Sequence, residues 1–200
     1  MSDNHAHQTV AAARIASELH KAQQVARQLA ISSKNARAIV LRAGSQAAGF
    51  AVIANFYDEL ANKTITLAKS INTTALEIST HSVVEWRNSL ALNYLNKAYE
   101  LAEGAPHREN IHIYTQKISS TEKKLDQNFN KLMSELRNKL EEIQQHMRAM
   151  DVIAVTSKLE AVQTGEFQGH LVEMADGIQI MANNIKAHVS QSISLLGSHK

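Results

Sequence analysis

The chain has no cysteine, one proline and seven glycines in 200 residues. Without thiols there are no disulfides, no thiolate metal sites and no cysteine nucleophile, and the composition suits a reducing compartment. Aromatic residues are scarce, at 4%, which leaves little to fill a thick sheet core. Charge of one sign is lacking too. The formal net charge is +2 with neutral histidines, so no long-range field points to nucleic acid or an anionic membrane. No apolar run approaches the roughly 20 residues that span a bilayer. The polar start, Met1 to Val10, has no apolar signal core. These absences predict a cytoplasmic protein with no membrane span, with export by a route lacking a cleaved signal as the alternative.

What is present is helix-forming. Ala, Leu, Ile, Gln, Asn, Lys and Glu dominate, and the breakers gather in three clusters. Gly44 and Gly49 form the first, Gly104 and Pro106 the second, Gly165 and Gly169 the third. These mark the corners. Between them apolar residues recur at steps of three and four. Ile111, Tyr114, Ile118, Leu125, Phe129, Leu132, Leu136, Leu140, Ile143 and Met147 form a coiled-coil seam. Ile53, Phe56, Leu60, Leu67, Ile71 and Ile78 form a second. Ile15, Leu19, Ala22, Val25 and Leu29 form a thinner third stripe, and Leu171, Met174, Ile178, Met181, Ile185 and Val189 a fourth.

The predicted helices run 6–43, 50–103, 109–163 and 170–196. The second and third exceed ~50 residues, or roughly 80 Å at 1.5 Å per residue. The expected fold is all-α: elongated antiparallel helical hairpins, 6–104 and 109–197, forming a single four-helix coiled-coil bundle over 1–200. Away from the first and third corners only two helices remain. That end holds Trp86, Tyr94, Tyr99 and Tyr114, expected to fill its local core, with a partner surface as the alternative.

An offset of 121 residues superposes Gly44 on Gly165, Ala54 on Ala175, Ala61 on Ala182 and Asn62 on Asn183. The same offset aligns two corners and two helix pairs, which marks an internal repeat.

The first copy runs through Val25-Ala26-Arg27-Gln28, Asn35-Ala36-Arg37-Ala38 and Arg42-Ala43-Gly44. It continues with Gly49-Phe50-Ala51-Val52-Ile53-Ala54 and Glu59-Leu60-Ala61. It resembles the cytoplasmic hairpin tip of methyl-accepting chemotaxis receptors over roughly residues 22–70. The second copy is fainter, over roughly 146–190, with Ile153-Ala154-Val155, Leu159-Glu160-Ala161, Gly165-Glu166, Ala175-Asp176 and Met181-Ala182. In that family, tips pair as a dimeric four-helix bundle and bind a histidine autokinase and its coupling protein. The resemblance therefore implies a pseudo-dimer of two receptor-like tips in one chain. Its partner-binding positions would be Asn35, Arg42, Phe50, Glu160 and Glu166.

The copies depart from the family pattern unequally. The first tip glutamate is Ile39 in copy one and Glu160 in copy two. The second is Ser45 in copy one and Glu166 in copy two. Gln163 stands where copy one has Arg42, and Thr156 where it has Asn35. The polar set is split between the halves, so either both halves make one site or the site has decayed or been repurposed.

No metal, cofactor or catalytic site is legible. None of the ten histidines forms an i, i+4 His pair on a helix, and no nucleophile stands with a base in a recognisable motif. The expectation is a non-enzymatic chemoreceptor-like signalling or scaffold protein. Its partners would be a chemotaxis histidine kinase and coupling protein, or other helical bundles. A self-assembling structural bundle without kinase coupling is the alternative. Nucleic acid is not expected as a partner.

Overall fold

A computed structural model describes residues 2–197, with side chains from 10 to 196. Four α-helices account for nearly all of it: α1 (Ser2–Ala43), α2 (Ala48–Leu101), α3 (Arg108–Ala161) and α4 (Gln168–Gly197). Short 3-10 turns, Gly44–Ala47 and Gly165–Phe167, precede α2 and α4. There is no strand among the described residues, so the all-α reading holds.

The corners fall at the predicted glycines for a steric reason. Gly44, Gly104 and Gly165 have φ of 62°, 77° and 60°. That left-handed conformation is costly for a residue with a Cβ and open to glycine. All four helix starts precede the expectation, α3 by one residue at Arg108. α1 begins at Ser2 rather than Ala6, α2 at Ala48 and α4 at Gln168. Single 3-10 turns replace the expected loops, so the helices resume as soon as the chain has reversed.

The contacts divide the chain into two compact units, 14–73 with 137–200, and 1–13 with 74–136. In the first, all four helices share one core. Its polar contacts run around the bundle. Ser33 on α1 donates to the Ala54 carbonyl on α2 at 2.8 Å, and Tyr57 on α2 meets Ser157 on α3 at 2.7 Å. Lys158 on α3 pairs with Asp176 on α4 at 2.6 Å, and His188 on α4 lies 2.7 Å from Glu18 on α1. Each helix therefore neighbours the next, and α4 closes on α1.

The offset that superposes the corners also superposes the buried faces of this unit. Leu19, Ala22, Ala26, Leu29, Ser33, Ala36 and Val40 of α1 are buried, and so is the residue 121 places on from each in α3. The same is true of Phe50, Ala54, Tyr57, Ala61, Thr64, Ala68 and Ile71 in α2 against α4. Side-chain size differs between partners. Ala22 and Ala26 correspond to Ile143 and Met147, so α1 is slim where α3 is bulky. The halves share a register without being interchangeable.

Two seam positions need correction. Phe56 is 49% exposed while its neighbour Tyr57 is fully buried. One residue turns a helix by 100°, and the α2 core face runs through 50, 54, 57, 61, 64 and 68. Tyr114 is likewise exposed, because the partly buried face there passes through Ile111, Thr115 and Ile118.

The second unit pairs α2 from Thr74 with α3 up to Leu136, together with α1 as far as Ala13. Its buried residues include Ala75, Ile78, Ser82, Glu85 and Phe129. Arg108 secures the corner by lying 4.0 Å over the Tyr99 ring and donating to the Tyr99 carbonyl at 3.0 Å. The expectation that aromatics fill this core is corrected. Trp86, Tyr94 and Tyr114 are exposed, while the inner face carries Ala75, Ile78 and Ser82 with Phe129.

The Glu18 contact yields a pH prediction. Its carboxyl is held below the ordinary value near 4.5, chiefly by the hydrogen bond from Lys21 and then by that to His188. A carboxyl lowered in the fold contributes stability above its unfolded value and loses it as pH falls through the folded one. Thermal melts from pH 7 downward should therefore fall more steeply below about pH 4.5 for the native chain than for Glu18→Gln. Parallel curves would show that the contact contributes nothing.

Candidate protein-interaction site

The first and third corners lie together in the four-helix unit, built on one apolar cluster. Ala36, Val40, Ala47, Phe50, Ala54, Ala161 and Leu171 are buried in it, with Ile39, Phe167 and Met174 packed alongside. Phe50, expected at the partner surface, is therefore an internal plug with 1% of its surface exposed. Leu171, its equivalent in the other half, lies in the same cluster.

Glu160 is half-buried. Its carboxylate rests against Gly49, where an added Cβ would meet it. Across the same boundary, Gln46 lies 3.6 Å from the Cβ position of Gly165. The two corners thus touch through side chains that cover each other's glycines. Asn35, Arg42 and Glu166 are exposed. Arg42 ends α1, where a cation suits the carbonyl end of the helix. Glu166 lies in the turn leading to α4. The structure brings Phe50 and Glu160 into the corner packing and leaves the other three free for contact.

Apolar side chains stand beside them. Leu41 is 82% exposed at the end of α1. Val52 and Phe56 are exposed one turn apart on α2. On α3 the outer face carries Val152, Val155 and Leu159, with Val162 just past its end. Their steps of three, four and three are legible in the sequence, but the longer inner stripes carry the stronger signal. The other feature missed in the sequence is the buried Tyr57–Ser157 pair, whose members lie 100 residues apart. Burial pushes the Tyr57 phenol up to about 12, and the hydrogen bond with Ser157 opposes that shift.

In the second unit α2 and α3 border a cleft of about 520 Å³ lined by Leu76, Glu77, His81, Lys131 and Leu132 among others. Thr80, its hydroxyl-bearing residue, donates to the Leu76 carbonyl at 3.0 Å rather than to His81. Charges of both signs over two leucines do not assemble a nucleophile with a base. No cluster of three metal-ligating side chains occurs among the described residues. By length and composition alone, one stretch within Val10–Leu101 is apolar enough to cross a membrane, and helix continuity within that range breaks at Gly44.

No family model, curated protein or solved structure matches the chain.

Proposed function

We propose that this protein is a non-enzymatic signalling or scaffold component of the cytoplasm that binds a helical partner through the paired corners of its four-helix unit. One observation carries the reading. The corners expose Asn35, Leu41, Arg42 and Glu166 over a cluster closed by Phe50 and Leu171. A rigid base with apolar and charged groups at its rim suits helix-face recognition, in which apolar anchors supply affinity and charges set orientation. The resemblance of the residues around Gly44 to a receptor tip supports a chemotaxis-type histidine kinase with its coupling protein as the partner.

The test is recovery of purified kinase and coupling protein on the immobilised chain. The native chain should retain them, and a Leu41→Glu/Arg42→Ala variant, altered only at exposed positions, should release them while melting at an unchanged temperature. Retention by both chains, or by neither, would sink the reading.

A further inference from the structure

The two halves of the chain meet as unlike partners. Tyr57 of the first half pairs with Ser157 of the second, and Glu18 of the first with His188 of the second. The corner cluster takes Phe50 from one half and Leu171 from the other. A first half therefore fits any second half, including that of another copy. Which one it takes depends on the connector between α2 and α3, residues 102–107.

That connector is held by little. Glu103, Gly104, Ala105, Pro106 and His107 are all exposed, so opening it uncovers no core. Its turn is closed by the Ala105 N–H on the Ala102 carbonyl at 3.0 Å. His107 has φ of 70°, a left-handed conformation that a residue with a Cβ resists. Pro106 biases Ala105 towards extended backbone, which is the conformation of an opened link. A short reversal under strain is the condition that favours exchange of elements between copies. The Arg108 tie does not oppose it. Arg108 stacks on Tyr99 and donates to its carbonyl, and Arg108 of a second copy can make the same two contacts.

We infer that two copies of this chain exchange halves, with the 102–107 connector opening as the hinge. Each four-helix unit of the dimer then holds α1 and α2 of one copy with α3 and α4 of the other. The core contacts are those of the single chain, and the strain at both copies of His107 is released. The exchange is mutual and closed, so assembly stops at two copies. Short connection of the halves within one chain favours the monomer when the protein is dilute, so the dimer belongs to high local concentration. This exchange goes beyond the corner-binding reading and does not rest on it.

Refolding from urea tests the inference, with size-exclusion chromatography and light scattering as the readout. The native chain should refold as monomer at low micromolar concentration and partly as dimer at several hundred micromolar. Diluted without unfolding, the dimer should persist, because the halves must separate before they can exchange back. Removing Gly104, Ala105 and Pro106 leaves too little chain to reverse and should give dimer even when dilute. His107→Gly, at an exposed position, should raise the concentration needed for half-dimerisation about tenfold, since glycine relieves the strain in the closed form. Mixing separates exchange from surface contact. Ala54→Asp and Ala175→Asp each put a charge at a fully buried position, one in each half. Refolded together, the two variants should form a dimer in which the two unaltered halves build one unit that melts near the native temperature. Neither variant refolded alone should show that transition. A native chain that is monomeric at every concentration overturns the inference. So does a dimer that dissociates promptly on dilution, or a mixture of the two variants that shows no rescue.

Discussion

Replacing Phe50 with alanine should destabilise the four-helix unit by about 3–5 kcal/mol, the cost of emptying a closed aromatic site. The side chain is 1% exposed and lies among residues from all four helices, so no single helix can shift inward to fill the space without disturbing the others. Phe50→Leu should cost less than about 1.5 kcal/mol. Leucine is what the other half places at the equivalent position, Leu171, in the same cluster. Urea unfolding followed by circular dichroism distinguishes the two. Equal, small losses for both variants would mean that the corner cluster is loosely packed and that the plug contributes little. Partner binding should weaken in the alanine variant only as far as the corners loosen, because the ring itself is not at the surface.

Tyr57 should make the fold sensitive to alkali. Its phenol, ordinarily near 10, is pushed up to about 12 chiefly by burial. An acid whose proton is held more tightly in the fold stabilises it fully below the unfolded value. That stability is lost as pH rises through the folded value. Two units correspond to about 3 kcal/mol, withdrawn between roughly pH 10 and 12. Burial is why the neutral form suits the site, and the hydrogen bond with Ser157 offsets only part of it. Ser157 donates its one proton to the Ile153 carbonyl at 2.6 Å, so the Tyr57 hydroxyl donates to Ser157. A phenolate there would be stripped of solvent by burial. Tyr57→Phe should cost only about 1 kcal/mol at neutral pH, since Ser157 keeps its bond to Ile153. It should then lose less stability than the native chain above pH 10. Melting temperatures from pH 8 to 12 report this directly, and identical alkaline slopes would exclude Tyr57 as the cause.

How much of this was readable in the residues depends on whether a signal is local. Corners were readable because Gly44, Gly104 and Gly165 each answer a local backbone demand for positive φ. Core faces were readable where apolar and polar residues alternate cleanly, as at Leu136, Leu140, Ile143 and Met147, all buried. The pattern failed where two bulky residues adjoin. Phe56 and Tyr57 each satisfy an apolar count, and the face that decides between them, through 54, 61, 64 and 68, is marked only by alanines and a threonine. The same limit applies at the corner. Arg42 and Glu166 could be placed as exposed from their helix-end positions. Glu160 against Gly49 could not, because a carboxylate covering a glycine on another helix leaves no periodic trace.

The Tyr57–Ser157 contact has a consequence for how the halves recognise each other. It joins a residue of the first half to one of the second, and the offset gives Ser157 an equivalent in Ala36. If two first halves paired with each other, in the register they use with the second, each Tyr57 would meet Ala36. The buried hydroxyl would find no acceptor, at a cost of about 1–3 kcal/mol on each side of the pairing. Two second halves would suffer no such loss, since Ile178 stands where the tyrosine would be. One hydroxyl therefore acts as a sorting label. It penalises pairing of like with like for the first half alone, so the helices of a growing chain are directed to the half that follows them and away from the matching half of a neighbouring molecule.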